Sequence, residues 1–351
     1  MKQTTGISIY YLTFEALSSN YTGTVVLVTG GTGFLGSALI KRLIVAGTSV
    51  RATKRETSAI PAELVGLSGL QWVDADINDF FALEDAFEGV TKVYHCAGII
   101  SYHVADRKRL TAVNVEGTAN VVTLSSERRT RLLHVSSIAA VGNAKNNDEA
   151  TENDLWEYDP DQPGYAVTKY EAEMEVWRGI AEGLDAVIVN PALIIGPAAR
   201  TTDNGASGTI FALLRGGLNF YPTGSVGLID VDDAAKAMIL LMDNPAVTGQ
   251  RFLLSNVTMS HQELLARCSA FFGRPAPKHK ATPLMLGIAW RTAKLLSLFT
   301  GKRPLLTRET AKASSQRLRF SNRKVVAATG IAFKPIDDTL REICMELLRT
   351  Q

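Results

Sequence analysis

The sequence has few cysteines, no long apolar run and almost no net charge. Its three cysteines, Cys96, Cys268 and Cys344, lie far apart without the spacing of metal ligands, so they predict reduced thiols in a cytoplasmic protein and no structural metal. No apolar stretch reaches the roughly 18 residues of a membrane-spanning helix. A formal charge of +2 over 351 residues, without a recognition motif, gives no support for nucleic-acid binding. A hydrophobic content of 46% is ordinary for a globular chain with a large core.

Three glycines follow an apolar strand pattern and precede a helical pattern. Residues 28–36 read V-T-G-G-T-G-F-L-G, in the order G-x-x-G-x-x-G. Glycine permits a tight turn, lets the backbone approach a pyrophosphate and leaves helix N–H groups directed at its charge. An isolated match is about as often an ordinary glycine-rich turn, but the motifs downstream favour a dinucleotide site. The predicted contacts in this turn are Gly30, Thr32, Gly33, Phe34, Leu35 and Gly36.

The second predicted strand ends in a cluster of cations. Residues 48–53 have strand character, and Arg51, Lys54 and Arg55 lie at its end. An acidic residue here would hold a free ribose 2′-hydroxyl, whereas cations attract a 2′-phosphate. The sequence therefore predicts a preference for NADP(H) and leaves NAD(H) open. The alternative is a solvated charge cluster at a strand end.

Two further strand ends are predicted to contact the dinucleotide. After the strand at 71–77, Asp76 is placed to accept from the adenine amino group and Ile77 to pack on the ring, although Asp76 could equally cap the next helix. The strand at 92–98 ends in Ala97 and Gly98, whose small size leaves room for a ligand at the carboxyl edge of the sheet.

The alternation of strands and helices predicts an α/β fold, with a doubly wound parallel Rossmann sheet and a smaller, mostly helical C-terminal lobe. The predicted divisions are an N-terminal extension at 1–23, an NAD(P)-binding domain at 24–195 and a substrate-binding lobe at 196–351.

The predicted boundary between the two parts is discontinuous. Helices are predicted at 260–272 and 336–348 in the lobe. The segments 228–231 and 250–255 have strand character, so the chain is expected to return to the sheet near 228–258.

A tyrosine and a lysine stand four residues apart in Y-A-V-T-K at 165–169. On a helix, Tyr165 and Lys169 share one face and can reach a single ligand. An adjacent ammonium and an oxidised nicotinamide would both favour the phenolate, which makes Tyr165 a usable acid and base. Ser137, at the end of the fifth predicted strand, can donate to a substrate oxygen as charge develops on it. Alone, this spacing is more typical of an amphipathic surface helix. Because it follows the glycine turn and Ser137, it indicates a catalytic site.

The order of these motifs resembles the extended short-chain dehydrogenase/reductase family from about Thr24 almost to the carboxyl end. The matching blocks are T-G-G-T-G-F-L-G at 29–36, N-V-E-G-T at 114–118, V-S-S-I at 135–138, Y-A-V-T-K at 165–169, N-P-A-L-I-I-G-P at 190–197 and V-D-D-A-A at 231–235.

The resemblance implies a catalytic triad of Ser137, Tyr165 and Lys169, with both Tyr165 and Lys169 also contacting the cofactor. Asn114 would be a fourth member that organises a proton-relay water, or would only tie helix to strand. Pro191 and Ile194 would line the nicotinamide. The resemblance leaves a homodimer open, because many relatives pair through the helix that carries the tyrosine.

Within that family, the sequence favours a net reductase. Ile138 and Ala139 occupy the positions where sugar-nucleotide dehydratases carry an Asp-Glu pair, and residues 226–231 lack the arginine that commonly holds a sugar diphosphate. The chain looks most like the dihydroflavonol reductase and 3β-hydroxysteroid dehydrogenase branches. The prediction is NADP-linked reduction of a ketone or aldehyde of a largely apolar small molecule, or the reverse oxidation. A sugar epimerase and a non-enzymatic nucleotide sensor are the alternatives.

An apolar segment near the carboxyl end has two interpretations. Residues 283–300 are apolar apart from Arg291 and Lys294, and a basic stretch follows at 302–324. One interpretation is an amphipathic lid that touches a membrane or a lipid-like substrate. The favoured one is a helix buried on one side with a solvated basic tail, so no membrane contact is expected.

Overall fold

The computed structural model describes residues 25–144, 149–159, 164–197, 211, 214–301, 303–304 and 306–349. The predicted N-terminal extension at 1–23 lies outside the described residues. In chain order the strands are β1 Val25–Thr29, β2 Ser49–Lys54, β3 Leu70–Asp74, β4 Val90–His95, β5 Arg131–Val135, β6 Ala186–Pro191, β7 Leu193–Ile195, β8 Phe220–Pro222, β9 Ser225–Asp230, β10 Gln250–Leu254, β11 Val257–Ser260 and β12 His279–Ala281.

Seven of these strands form one parallel sheet in the order β10-β6-β5-β4-β1-β2-β3. The chain adds β2 and β3 on one side of β1 and β4, β5 and β6 on the other, so the order of connection reverses between β1 and β4. This is the switch point of a doubly wound fold, where ligands bind at the carboxyl ends of strands. Val26, Leu27 and Val28 are almost completely buried, because helices cover both faces of the sheet. The predicted fold class is confirmed.

Helices connect the strands and cover the sheet. They are α1 Phe34–Val45, α2 Phe80–Ala86, α3 Arg107–Leu110, α4 Gly117–Glu127, α5 Gly164–Ala181, α6 Val231–Asp243, α7 His261–Phe271, α8 Pro283–Thr300, α9 Arg308–Ala313, α10 Arg323–Thr329 and α11 Ile336–Arg349. A π-helical turn at Thr111–Glu116 joins α3 to α4. The main core surrounds the sheet in two layers: α1 and α6 cover one face, and α2, α4 and α5 cover the other.

A second, smaller core lies beyond the carboxyl edge of the sheet. It combines β9 and β11 with α7 and α11, whose bounds agree with the helices predicted at 260–272 and 336–348. Of the two strand-like segments, 250–255 does join the main sheet as β10 beside β6. The other does not, because β9 pairs with β7 and β11 in a separate three-stranded sheet.

The helix predicted at 283–300 forms as α8, but the prediction that one side is buried is wrong. Thr282 caps its first turn and Gly301 ends it in the left-handed conformation, at φ +65°. None of its residues is buried, because α8 packs mainly against the short α9. Among the described residues, no helix combines the length and apolar character needed to cross a membrane.

Candidate active site

The turn between β1 and α1 leaves a helix N-terminus open to an anion. Gly30 has φ +69°, and a Cβ on it would lie 2.7 Å from the Cα and N atoms of Ala97. A Cβ on Gly36 would overlap the carbonyl oxygen of Gly30. Gly33 is the N-cap of α1, with no side-chain cap and no acidic residue in the first turn. The N–H groups of this turn therefore fit the pyrophosphate of a dinucleotide.

The other predicted residues of the turn surround this helix end. Thr32 and Phe34 are half-buried, and Leu35 packs into the core beneath α1. A Cβ on Gly196, which follows β7, would lie 3.2 Å from the ring of Phe34. The turn thus lies against the segment that follows β7.

A pocket of about 520 Å³ lies at the carboxyl ends of β2 and β3. Arg55, Asp76 and Asp79 are among its lining residues. Asp79, and not Asp76, caps α2 by accepting from Ala82 N, while Asp76 accepts from Asn78 N in a tight local turn. Asp76 therefore lines the pocket and does not cap α2, and its contact with adenosine stays a prediction.

Two predicted cations near this pocket already have partners, and one of them points elsewhere. Lys54 forms an ion pair with Asp74, another lining residue. Arg51 donates to Gln71 Oε1 and to the carbonyl oxygens of Ala86 and Glu88, at 3.0, 3.0 and 2.6 Å. Its predicted place in a phosphate clamp is corrected accordingly, because its guanidinium is committed to the loop before β4.

Ile77 is likewise directed away from the pocket. Its side chain is buried, and a Cβ on Gly117 of α4 would lie 2.6 Å from its Cδ1. The predicted packing of Ile77 on an adenine ring is corrected, because its side chain instead packs between the sheet and α4.

Asn114 lies in the π-helical turn and ties it to the loop after β4. Its Oδ1 accepts from Ile99 N at 2.9 Å, and its Nδ2 donates to Ile99 O and to Thr168 Oγ1. A Cβ on Gly98 would lie 3.4 Å from Asn114 Oδ1 and 3.9 Å from Lys169 Nζ. Gly98 therefore faces both groups, and the side chain of Asn114 ties the π-helical turn to the loop after β4 and to α5.

Ser137, Tyr165 and Lys169 come together at the carboxyl ends of β5 and β6. Ser137 follows β5, and its carbonyl oxygen accepts from Asn190 Nδ2 at 3.0 Å. Its hydroxyl is hydrogen-bonded to the phenol of Tyr165 in α5. One turn later, Lys169 donates to the carbonyl oxygen of Val135 at 2.7 Å. The predicted triad is thus assembled around one end of the sheet.

Burial sets the protonation of this group. It raises the pKa of Tyr165, and the nearby Tyr102 raises it further, while the hydrogen bond from Ser137 opposes the rise. The predicted lowering of this pKa by Lys169 is outweighed, because burial is the largest effect on Tyr165 and the net direction is upward. Desolvation lowers the pKa of Lys169 to about 8, against an opposing effect of the Glu173 carboxylate. Tyr165 is therefore a neutral phenol at neutral pH.

Glu173 is a buried carboxylate that the sequence reasoning missed. Its two oxygens accept from Ser136 Oγ at 2.6 Å, Asn190 Nδ2 at 2.7 Å, and Trp177 Nε1 and Arg251 Nη1 at 3.2 Å each. It stands four residues after Lys169 on the same face of α5, and that spacing was the available signal. Because Asn190 also binds Ser137 O, this network fixes the position of the serine.

Tyr102 was also missed. Its ring meets the ring of Tyr165 edge-on, with centroids 5.9 Å apart. It lies in the loop after β4, where no sequence motif marks it.

Pro191 ends β6 and is buried, while Ile194 pairs with Ile229 across β7 and β9 and is half-buried. These last two residues border the same edge of the sheet as Ser137.

Comparison with known proteins gives consistent results. A model of the NAD-dependent epimerase/dehydratase family matches residues 26–254. A provisionally named dihydroflavonol 4-reductase of Synechocystis sp. is 33% identical over 322 residues, covering 90% of this chain and 92% of the relative. Sterol demethylase protein B of Methylococcus capsulatus is 34% identical, covering 75% of this chain and 79% of the relative. Cinnamoyl-CoA reductase 1 of Petunia hybrida is 33% identical, covering 71% and 78%.

A solved structure extends the similarity to the whole fold. The crystal structure of gox2253 superposes with a TM-score of 0.80 and 28% identity, over 93% of this chain and 98% of that one. The second core is therefore part of the shared architecture.

Proposed function

The chain belongs to the NAD-dependent epimerase/dehydratase family, within the extended short-chain dehydrogenases/reductases, and from this premise we propose that it reduces an apolar ketone or aldehyde with NADPH. It is an NAD(P)-dependent oxidoreductase acting on carbonyl or alcohol groups. The observation that carries the finer proposal is the convergence of Ser137, Tyr165 and Lys169 beside the open end of α1. The reverse oxidation would use the same groups.

The proposed roles follow from the protonation of these side chains. The bound nicotinamide would supply the hydride. Tyr165 keeps its proton because burial raises its pKa, so it would donate that proton to the substrate oxygen. Ser137 would hold the same oxygen by a hydrogen bond. Lys169, anchored on Val135 O, would stabilise the phenolate that remains.

Replacing Tyr165 tests this proposal. We expect Tyr165→Phe to lower turnover about 10²- to 10⁴-fold, because the proton donor is lost, while NADPH affinity changes by only a small factor. The assay is NADPH consumption with a panel of apolar ketones and aldehydes, with UDP-hexoses run alongside. Tyr170→Phe is the matched control, since Tyr170 lies in the same helix and stacks on Trp156. Undiminished turnover of Tyr165→Phe would remove the phenol from the mechanism, and turnover of UDP-hexoses alone would favour the epimerase alternative.

The preference for NADPH is proposed to depend on Arg55. Its side chain is exposed and lines the pocket at the carboxyl ends of β2 and β3, where Lys54 and Asp74 are paired. Carboxylates of Asp76 and Asp79 line the same pocket and would suit the free 2′-hydroxyl of NADH. The ratio of kcat/KM with NADPH to kcat/KM with NADH therefore shows whether Arg55 or these carboxylates set the cofactor preference.

We expect Arg55→Ala to reduce the NADPH/NADH ratio of kcat/KM about tenfold, because one charge-assisted bond to a phosphate is lost. Arg51→Ala should leave the ratio unchanged, since Arg51 is bonded to Ala86 and Glu88. Steady-state kinetics with both cofactors measure it. A wild-type protein that prefers NADH, or an unchanged ratio in Arg55→Ala, would contradict the NADPH proposal.

A further inference from the structure

The helix α8 carries its large apolar side chains on the side that faces away from the protein. We call this side the outer face of α8. It consists of Leu284, Met285, Ile288, Leu295, Leu296, Leu298 and Phe299, all of them exposed. Leu284, Ile288, Leu295 and Phe299 follow the i, i+4, i+11, i+15 spacing of one helical stripe. Such a contiguous apolar surface is unusual unless another apolar phase covers it.

The opposite stripe of α8 is the one that meets the protein. Leu286, Trp290, Ala293 and Ser297 are half-buried and follow the same helical spacing, displaced around the helix. The helix is therefore apolar on both sides, unlike an ordinary surface helix, whose outer side is polar. Packing inside this chain does not account for the outer face.

The charge around α8 has one sign. Between Glu263 and Glu309 the sequence contains no Asp or Glu, and its charged residues are all Lys or Arg. Lys278 and Lys280 are exposed just before the helix, and Arg291 and Lys294 are exposed within it. Lys278 and Lys280 precede the apolar face and Lys294 borders it, whereas Arg291 lies within it, between Ile288 and Leu295 on the same stripe. Exposed cations beside and within an apolar helix face are typical of helices that lie in the surface of an anionic membrane, because their long side chains reach the headgroups.

We propose that the outer face of α8 binds the surface of an anionic lipid bilayer. The helix of 18 residues would lie flat over about 27 Å. Its Leu, Ile and Phe side chains would enter the boundary between headgroups and acyl chains, and the neighbouring cations would contact lipid phosphates. The proposal does not depend on the reaction that the enzyme catalyses.

The docked face lies next to the loop that borders the catalytic cleft. Arg303, two residues after the cap of α8, forms an ion pair with Asp106 at 2.8 Å, and Asp106 also accepts from Ser101 Oγ at 2.7 Å. Tyr102, in the same loop, contacts the ring of Tyr165. Membrane binding through α8 would therefore bring this loop, and the cleft behind it, close to the lipid.

Flotation of the full chain with lipid vesicles tests the proposal. We expect the protein to float with vesicles of phosphatidylcholine and phosphatidylglycerol in equal parts, more weakly with phosphatidylcholine alone, and less at high salt. The double variant Leu295→Ser with Phe299→Ser should bind at least about tenfold more weakly, because two inserted side chains are lost. Its matched control is Val45→Ser with Phe81→Ser, since Val45 and Phe81 are each 78% exposed in α1 and α2, against 87% for Phe299.

Thermal unfolding of each variant checks that the fold is retained, and light scattering gives the number of copies. Absence of flotation by the wild-type protein would overturn the proposal, as would equal binding to both kinds of vesicle. If the outer-face variant changed only the number of copies in solution, the occupant would be a second copy of the chain and the proposal would be wrong.

Discussion

Glu173 shows how much the arrangement of Ser137 and Lys169 depends on a side chain that no motif contains. It is completely buried, and it receives hydrogen bonds from α5, β6, β10 and the segment after β5. A buried carboxylate is stable only when it is paired and fully hydrogen-bonded, and Arg251 supplies the pairing charge. The serine and the lysine of the triad are therefore both influenced by one carboxylate.

We expect Glu173→Gln to lower the free energy of unfolding by about 3 kcal/mol, because it leaves Arg251 without its partner charge. It should also move the high-pH decline of kcat to lower pH. The pKa of Lys169 is about 8, and the Glu173 carboxylate raises it, so removal of that charge lets the ammonium lose its proton earlier. Urea unfolding and a pH–rate profile measure the two effects.

Glu175→Gln is the matched control for this substitution. Glu175 lies in the same helix and pairs with Arg178 at the surface. An exposed pair of this kind contributes less than about 1 kcal/mol, so neither measurement should change appreciably. A pH profile that stays in place in Glu173→Gln would show that Glu173 is structural only.

Tyr165 shows a limit of reasoning from residue types. The sequence places a lysine one turn away and so predicts a lowered pKa, whereas burial and Tyr102 raise it. Desolvation depends on every element that covers the group, and Tyr102 comes from a loop distant in sequence. The spacing of two residues could not reveal that effect.

Among the elements, the strand-turn-helix of β1 and α1 was readable almost completely from the sequence. A buried apolar run, three glycines and a helical period are local signals, and the structure forms each of them in place. The close approach of Gly30 to Ala97 is the part that requires the neighbouring strand β4.

Substitutions at two glycines distinguish the stability lost through backbone conformation from the stability lost through the close approach of Gly30 to Ala97. Gly30 and Gly47 both have positive φ, at +69° and +79°, but a Cβ on Gly47 would meet nothing within 4 Å. We expect Gly47→Ala to cost about 1 kcal/mol from conformation alone. Gly30→Ala should cost about 1–3 kcal/mol more and weaken NADPH binding, because the turn must move.

Chemical unfolding and fluorescence titration with NADPH provide these values. Equal losses of stability in Gly30→Ala and Gly47→Ala would mean that the contact with Ala97 carries no cost, and unaltered NADPH binding in Gly30→Ala would argue against this turn as the pyrophosphate site.

The helix α8, in contrast to β1 and α1, was predicted only in part from the sequence. Its limits were readable, since Thr282, Pro283 and Gly301 are start and stop signals. Its apolar content predicted burial, yet only one stripe of α8 is half-buried, and most of its large apolar side chains lie on the exposed side. Which side of an apolar helix is covered depends on the neighbours that reach it, and the helix sequence alone does not specify them.

Considered across all described residues, the chain has two cores joined at one edge of the sheet. The larger surrounds the seven parallel strands, and the smaller combines β9 and β11 with α7 and α11. The triad and the glycine turn lie at the carboxyl edge of the main sheet, and the use of the smaller core for substrate binding stays a prediction. The division into domains at residue 195 stays a prediction. β7, before this residue, pairs with β9, after it, so the two parts share one small sheet.

The sequence was sufficient for the features that arise from neighbouring residues: the alternation of strands and helices, the glycine turn, the shared face of Tyr165 and Lys169, and the family resemblance that these motifs carry. Packing was needed for everything that depends on distances between remote segments. It turned Arg51 and Ile77 away from the pocket lined by Arg55 and Asp76, assembled the network of Glu173 and left the outer face of α8 exposed. The physical reason is that periodicity and turn chemistry act over a few residues, whereas burial and charge act through space.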